Sequence, residues 1–380
     1  MSKVSKRKKV LHIITGLNNG GAEAVLYRLC THDKNNRHVV ISLMDEGKYG
    51  PLLNEAGIDV HCLDMQAGRV SIVGLYKLFK LLRSLKPDVV QTWMYHADLI
   101  GGLVARLAGI KNVYWNIRHT TLDPEHSKRS TILIAKLCAK LSTFVPKGVI
   151  CCAEKAVEVH SKIGYSFAKM TVISNGYNLS NLKIMPDAQK ILSEELGDIF
   201  PIIGMVGRFD PQKDHFGLLS AFSILKKGGV SYKLALVGRD LNSVNLTLIE
   251  KIKALDLNGE VLLLDQRKDI PVIMNSLTLH VLSSSFGEAF PNVLAEAMAC
   301  GTPCVTTDVG DAARIVGHTG WVVPPKDPKA LANAISEALH EKECFPEQWA
   351  ERKKACRERI VENFSIDTMV DDYQKNWSIE

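Results

Sequence analysis

The chain has 380 residues, room for two or three domains of ordinary size, and 46% hydrophobic against 23% charged residues. That balance excludes a disordered chain, and 27 Gly with 14 Pro exclude a collagen-like or low-complexity one. The net charge of +6 hides an asymmetry: residues 1–183 hold 26 Lys and Arg against 13 Asp and Glu, and residues 184–380 hold 21 against 28, so the halves stand at +13 and −7, as expected for two domains with different partners.

The basic start, residues 1–9, precedes an apolar run over 10–14 that is too short for a signal peptide. No run of eighteen apolar residues is present to span a membrane. The nine Cys include no C-x-x-C pair, which fits reduced thiols in a cytoplasmic protein. Residues 10–14 read as a buried strand, followed by a Gly-rich turn and a helix from about Gly21. Further strands are expected over 39–43, 59–63, 88–92, 112–117, 149–150 and 170–173. Between them, Leu75, Leu78, Leu82 and Leu85 recur at helical spacing with Lys77, Lys80, Arg83 and Lys86 interspersed. Over 127–141, Arg129, Lys136 and Lys140 share a face beside Ile132, Leu133, Leu137 and Leu141. Such helices suit an anionic membrane surface or are ordinary solvated faces. No nucleic-acid motif accompanies the charge, and no nucleic-acid partner is expected.

Residues 176–198 are polar and lack a strand pattern. The alternation then restarts, with strands over 201–206, 233–237, 261–264, 278–282 and 303–306, and helices over 214–227, 292–299, 328–339 and beyond Pro346. Alternating strands and helices predict an α/β protein with parallel sheets covered on both faces. The expected organisation is two doubly wound, Rossmann-like domains facing a cleft, 1–183 and 200–360, a linker over 184–199, and a C-terminal helix over 361–380 packing back on the first domain.

Residues 285–303 are the richest stretch. Glu288 falls in a loop after a strand, and Pro291 suits the first turn of the next helix. The backbone N–H groups at Asn292 and Val293 then open a helix end that attracts phosphate. Glu296, eight residues after Glu288, is placed to accept ribose hydroxyls, and Glu288 to reach those of a sugar. A surface Glu and a capping Glu would show the same spacing. Gly207-Arg-Phe-Asp-Pro-Gln-Lys-Asp214 joins a strand end to a helix start, so Arg208 and Lys213 can converge on a departing diphosphate. Thr15-Gly-Leu-Asn-Asn-Gly-Gly-Ala-Glu23 is not the G-x-G-x-x-G of nicotinamide enzymes. Its Gly20 and Gly21 either admit a phosphate or sugar close to the backbone or form an ordinary turn. His96 and His119 both follow strand ends, with Arg118 beside the latter. No Asp-x-Asp occurs anywhere.

Glu288-x7-Glu296, followed by Ala-Met-Ala-Cys-Gly-Thr-Pro, resembles the signature of the family 4 retaining glycosyltransferases, which have the GT-B fold. The resemblance implies a hexose or N-acetylhexosamine moved, with retention, from a nucleotide-diphosphate sugar, a UDP-sugar for preference. It implies His119, Arg208, Lys213 and Glu288 as catalytic, and Gly20, Gly21, Arg267, Phe290, Pro291, Asn292, Val293 and Glu296 as further donor contacts. His96 and Arg118 fall on the acceptor side. No metal and no cofactor are expected, since Arg, Lys and a helix terminus take the cation's place. With a basic first domain, the expected acceptor is a polyprenyl-diphosphate-linked glycan, as in bacterial O-antigen, lipopolysaccharide or capsule assembly, and the expected location is the cytoplasm, peripheral on the inner face of its membrane. Two departures stand out: Thr278 where relatives commonly have Asp, and Leu264-Asp-Gln-Arg267 where the base-contacting loop usually reads Leu-Gly-x-Arg. A nucleotide-sugar epimerase, a noncatalytic donor-binding subunit and a nicotinamide dehydrogenase are the rival readings.

Overall fold

A computed structural model describes residues 7–378 apart from 67, 121, 126 and 198–200. The chain divides into two compact units, 1–176 with 366–380, and 177–365.

The first unit runs β1 (Lys9–Ile14), α1 (Gly21–His32), β2 (Arg37–Ser42), α2 (Tyr49–Glu55), β3 (Asp59–Cys62), α3 (Ile72–Leu85), β4 (Val89–Trp93), α4 (Tyr95–Leu107), β5 (Val113–Ile117), α5 (Arg129–Leu141), β6 (Gly148–Cys151), α6 (Glu154–Lys162) and β7 (Met170–Val172). All its strand pairs are parallel, in the order β3-β2-β1-β4-β5-β6-β7. β1, β4, β5 and β6 are buried almost throughout, as their continuous apolar runs require of a sheet covered on both faces. The order reverses between β1 and β4, so the loops leaving these two strands flank the switch point where ligands bind in such sheets.

The second unit runs α7 (Ala188–Leu196), β8 (Ile202–Val206), α8 (His215–Lys227), β9 (Lys233–Val237), α9 (Leu246–Ala254), β10 (Val261–Leu263), α10 (Ile270–Ser276), β11 (Leu279–Leu282), α11 (Asn292–Ala299), β12 (Cys304–Thr307), α12 (Ala312–Val316), β13 (Trp321–Val323), α13 (Pro328–Cys344) and α14 (Pro346–Asn363). Its parallel sheet has the order β10-β9-β8-β11-β12-β13, with the switch between β8 and β11. The last helix, α15 (Ile366–Ser378), belongs to the first unit. It packs on α1 and sends Ile366, Met369, Val370, Tyr373 and Trp377 into that core. Tyr373 accepts a 2.7 Å hydrogen bond from the Asn116 amide, and the Trp377 indole donates to Gln91 at 3.0 Å.

Three expectations are corrected. The segment over 184–199 is not a bare linker: 188–196 form α7, which buries Ala188 and Leu192, packs on α10 and stops at Gly197 in the left-handed region; residues 198 and 199 lie outside the described residues. The second unit begins at Tyr177, not 200, because a backbone bridge ties Tyr177 to Ser365. The C-terminal segment is divided at 364–365, with α14 in the second unit and only α15 in the first.

Candidate active site

In the second unit the loops after β8 and β11 carry the charged residues. After β8, Asp210 caps a single 3-10 turn, Pro211–Lys213, by accepting from the Gln212 N–H. Asp214, in the left-handed region, then caps α8 through the Gly217 N–H at 2.9 Å. These two caps fix the backbone on either side of Lys213, whose side chain runs alongside Gly207. Its ammonium meets Glu288 Oε1 at 2.5 Å. Ser284 donates to the same oxygen at 2.7 Å. Both partners are largely withdrawn from water, with side chains 12% and 9% exposed, so breaking the pair leaves a buried charge uncompensated.

Two imidazoles lie near this ammonium. Burial and then Lys213 lower the His215 pKa to about 4 and the His280 pKa to about 3. Both rings are therefore neutral at pH 7, and Lys213 is the cation of the loop's interior. Arg208, half exposed, pairs through Nε with Asp210 at 3.0 Å. Burial pushes the Asp210 carboxyl up, but the Gln212 N–H and Arg208 outweigh it and lower its pKa.

Pro291 sits at the N-cap of α11 rather than in its first turn, and Asn292 is the first helical residue. Proline's fixed φ, here −69°, sets the chain's entry while leaving the next N–H groups at the helix mouth. The Tyr177 hydroxyl donates to Asn292 Oδ1 at 2.5 Å, which fixes that side chain. Phe290 is buried edge-on against Phe364 and is a packing residue at the base of the loop. Val293 and Glu296 are half-buried on the first turns of the helix.

Arg267 is corrected by the structure. Its fork is occupied on both edges, by Glu195 and by Asp269, the latter at 2.8 and 2.7 Å. These two carboxylates raise its pKa further. An arginine so held ties α7 to the start of α10 and has no open edge for a nucleotide base.

Gly310 was not singled out by any sequence pattern, yet it sets the Glu288 loop. At φ +65° a Cβ there would lie 2.3 Å from the Glu288 carbonyl oxygen and 2.7 Å from that of Ala289. The neighbouring Asp311 N–H donates to Ala289 O at 2.9 Å. Gly310→Ala is expected to push the loop away, cutting turnover about tenfold or more and destabilising the unit by about 1–3 kcal/mol; steady-state rates and a denaturant midpoint check both. Ser284 and Tyr177 were also missed. Ser284 stands four residues before Glu288, a weak local signal, whereas Tyr177 lies 115 residues from its partner and gives none.

In the first unit, Gly20 is the N-cap of α1 and Gly21 its first residue, immediately beyond the loop leaving β1. His96 is half-buried in the first turn of α4. It follows Met94, whose φ of 70° and ψ of 156° fall in a region nearly exclusive to glycine. Arg118 and His119 follow β5. Arg118 donates to Asn175 Oδ1 at 2.5 Å and lies 5.7 Å from the centre of the Trp93 ring. Glu23, at the start of α1, is raised in pKa by burial, which Arg118 only partly offsets. His119 is exposed, yet the protein around it lowers its pKa by desolvation, as it does for the half-buried His96. The topology thus gathers Gly20, Gly21, His96, Arg118 and His119 at the carboxyl ends of the adjacent strands β1, β4 and β5.

Among the described residues one group has metal-ligand character, His12, Cys30 and His38, with ligand atoms within 4.8 Å of one another. The imidazoles are already engaged in a directed chain. The Trp93 indole donates to His12 Nδ1 at 3.1 Å, which fixes the proton on His12 Nε2. His12 then donates to His38 Nδ1 at 2.9 Å, and His38 Nε2 to Asp33 at 3.1 Å. This is a satisfied hydrogen-bonded core under α15.

Two parallel-sheet, Rossmann-like units, each with charged or glycine-rich loops at the carboxyl ends of its strands, have the architecture of the GT-B class of glycosyltransferase. Solved structures agree on the fold: Anabaena Alr3699/HepE, in complex with UDP and glucose, superposes with a TM-score of 0.85 over 98% of this chain and 100% of that one, at 22% identity. A family model described as glycosyl transferases group 1 matches residues 191–356, and one described as glycosyltransferase family 4 matches residues 19–181. The chain is 26% identical over 304 residues to the Escherichia coli UDP-Gal:alpha-D-GlcNAc-diphosphoundecaprenol alpha-1,3-galactosyltransferase, covering 78% of this chain and 76% of that protein. It is 28% identical over 281 residues to the Staphylococcus aureus capsular polysaccharide biosynthesis glycosyltransferase CapM, covering 70% and 71%. The chain belongs to the family 4 glycosyltransferases of the GT-B fold, of the kind found in bacterial surface-polysaccharide biosynthesis.

Proposed function

We propose that the chain transfers a hexose or N-acetylhexosamine from a UDP-sugar to a polyprenyl-diphosphate-linked glycan, with retention at the anomeric carbon and without a metal. The observation that carries the reading is the buried Lys213–Glu288 pair at the switch point of the second sheet, beside Arg208 and the mouth of α11. The E. coli relative's UDP-galactose donor and diphosphoundecaprenol-linked acceptor support the substrate classes.

Negative charge builds on the diphosphate as the glycosidic bond opens. Lys213 and Arg208 meet that charge, and the N–H groups at Asn292 and Val293 add a neutral dipole contribution. Glu288 orients the sugar hydroxyls and Glu296 the ribose. The ammonium that Glu288 holds is already desolvated and positioned, so little reorganisation is left for the moment of reaction. Arg118 and His119, at the carboxyl edge of the first sheet, take the acceptor and the transferring sugar respectively.

A panel of nucleotide sugars tests the reading, scored by thermal shift and by donor turnover with a lipid-linked acceptor. A UDP-sugar is expected to raise the melting midpoint and turn over only when acceptor is supplied, with the product keeping the donor's anomeric configuration. Turnover without acceptor would turn the reading to an epimerase; binding without turnover would turn it to a noncatalytic subunit. Treatment with EDTA is expected to leave the rate unchanged, and a collapse restored by a divalent cation would overturn the metal-free mechanism.

A further inference from the structure

Three helices of the first unit lie on one face of its parallel sheet. The connections β3–α3–β4, β4–α4–β5 and β5–α5–β6 all step the same way across the sheet, so right-handed crossovers put α3, α4 and α5 on one face. α4 packs between the other two. These three helices carry seven Lys and Arg and a single carboxylate, Asp98, which is fully buried and accepts from Thr92 Oγ1 and the Asn116 N–H.

The outward side chains follow one pattern on each helix. On α3, Gly74, Leu78 and Leu82 face the core, while Ile72, Val73 and Tyr76 are exposed beside Lys77, Lys80 and Arg83. Ile72 is 85% exposed, and the Lys80 ammonium lies 4.8 Å from the Tyr76 ring centre. On α5, Leu133, 69% exposed, and Leu137 share the outer stripe with Arg129, Lys136 and Lys140. On α4, Leu107 is 77% exposed beside Arg106. Neither the row of leucines on α3 nor the charge count in the sequence separates the inward apolar set from this second, outward one.

We propose that the α3–α4–α5 face docks on an anionic lipid bilayer, with Ile72, Val73 and Tyr76 entering the headgroup boundary and the Lys and Arg side chains meeting lipid phosphates. Exposed aliphatic and aromatic side chains beside a cationic stripe, with no exposed carboxylate on the three helices, match the chemistry of an anionic interface. The pattern disfavours a second copy of the chain, because like stripes would meet like. No helix among the described residues is long and apolar enough to cross a membrane, so this face would hold the chain at the surface. Helices of this sheet start at the carboxyl ends of its strands, so Ile72 and Val73 stand at the same edge as Gly20, Gly21, His96 and Arg118. Only this last link, the delivery of a lipid-linked acceptor to that edge, rests on the function proposed above.

Sedimentation of the full chain with vesicles tests the docking face. At about 0.15 M salt the protein is expected to pellet with vesicles containing phosphatidylglycerol and not with phosphatidylcholine alone. The Lys77→Glu, Lys80→Glu, Arg83→Glu triple variant should lower the partition coefficient by at least about tenfold. Ile72→Ser with Tyr76→Ser should also weaken binding and make the remainder more salt-sensitive. Unchanged melting midpoints and unchanged turnover with a water-soluble acceptor serve as the folding control for these exposed positions. Equal binding to both lipids, no binding, or an unaffected triple variant would overturn the proposal. So would a dimer in the ultracentrifuge that Ile72→Ser with Tyr76→Ser dissolves. Lipid binding by a protein that turns over no nucleotide sugar would leave the docking face standing and sink the transferase reading instead.

Discussion

Lys213→Ala is expected to lower the transfer rate by about a hundred- to a thousandfold, while nucleotide affinity falls far less. The ammonium is placed at the switch point by two capping carboxylates and held there by Glu288, so its attraction for the leaving diphosphate is greatest as charge develops on the bridging oxygen. The same substitution takes the ammonium away from the Glu288 carboxylate in a nearly closed site, where Ser284 still donates to it. A loss of about 3–5 kcal/mol of stability should accompany the loss of rate. The two effects separate in a double variant. Adding Glu288→Gln to Lys213→Ala removes the orphaned charge, so stability should recover while activity stays lost. Denaturant melts and single-turnover rates on the wild type and the two variants check this. If the single variant keeps a wild-type rate, Lys213 has no part in the chemistry; if the double variant recovers rate as well as stability, the role of the pair is structural.

Much of this site was legible because its signals are local. Glu288 and Glu296 are separated by one loop and one helix start, and the segment 207–214 passes from strand to helix with its capping Asp residues in place. Strand periodicity likewise placed β8, β9 and β11 to within a residue or two, since their burial on both faces leaves continuous apolar runs. What escaped depended on distance along the chain. α7 was hidden because a nine-residue helix with few apolar positions shows its inward set, Ala188 and Leu192, only once α10 is there to pack on. Arg267 carried the composition of a base-contacting loop, and only the fold brings Glu195 across from 72 residues away to occupy it. The role of Gly310 exists only because the chain doubles back against the Glu288 carbonyl. The C-terminal segment illustrates the same limit: nothing near Tyr373 or Trp377 announces that their partners are Asn116 and Gln91.

Mild acid should destabilise both units well above the carboxylate range. His12 and His160 in the first unit, and His215 and His280 in the second, are buried, and desolvation is the leading cause that lowers each pKa. His160 and His215 fall to about 4 and His280 to about 3, against an ordinary 6.5. The sign follows from proton counting. Below pH 6.5 the unfolded chain takes up a proton at each of these rings and the folded chain does not, so stability is present at neutral pH and is lost as the pH falls toward the folded values. Each proton is worth about 1.4 kcal/mol per pH unit, so two per unit remove about 4 kcal/mol between pH 6.5 and pH 5. Set against a margin of about 5–15 kcal/mol, that is a large share. Asp33, held at about 2 by His38 and the amides around it despite its burial, adds its own loss only below its ordinary 3.8. Melting midpoints taken from pH 8 down to pH 5 should therefore be flat at first and then drop steeply from about pH 6.5. His215→Phe, which leaves nothing to protonate at that position, should flatten the slope of the second unit by half. A midpoint that stays level to pH 5 would show that these rings are protonated, and paired, in the folded protein.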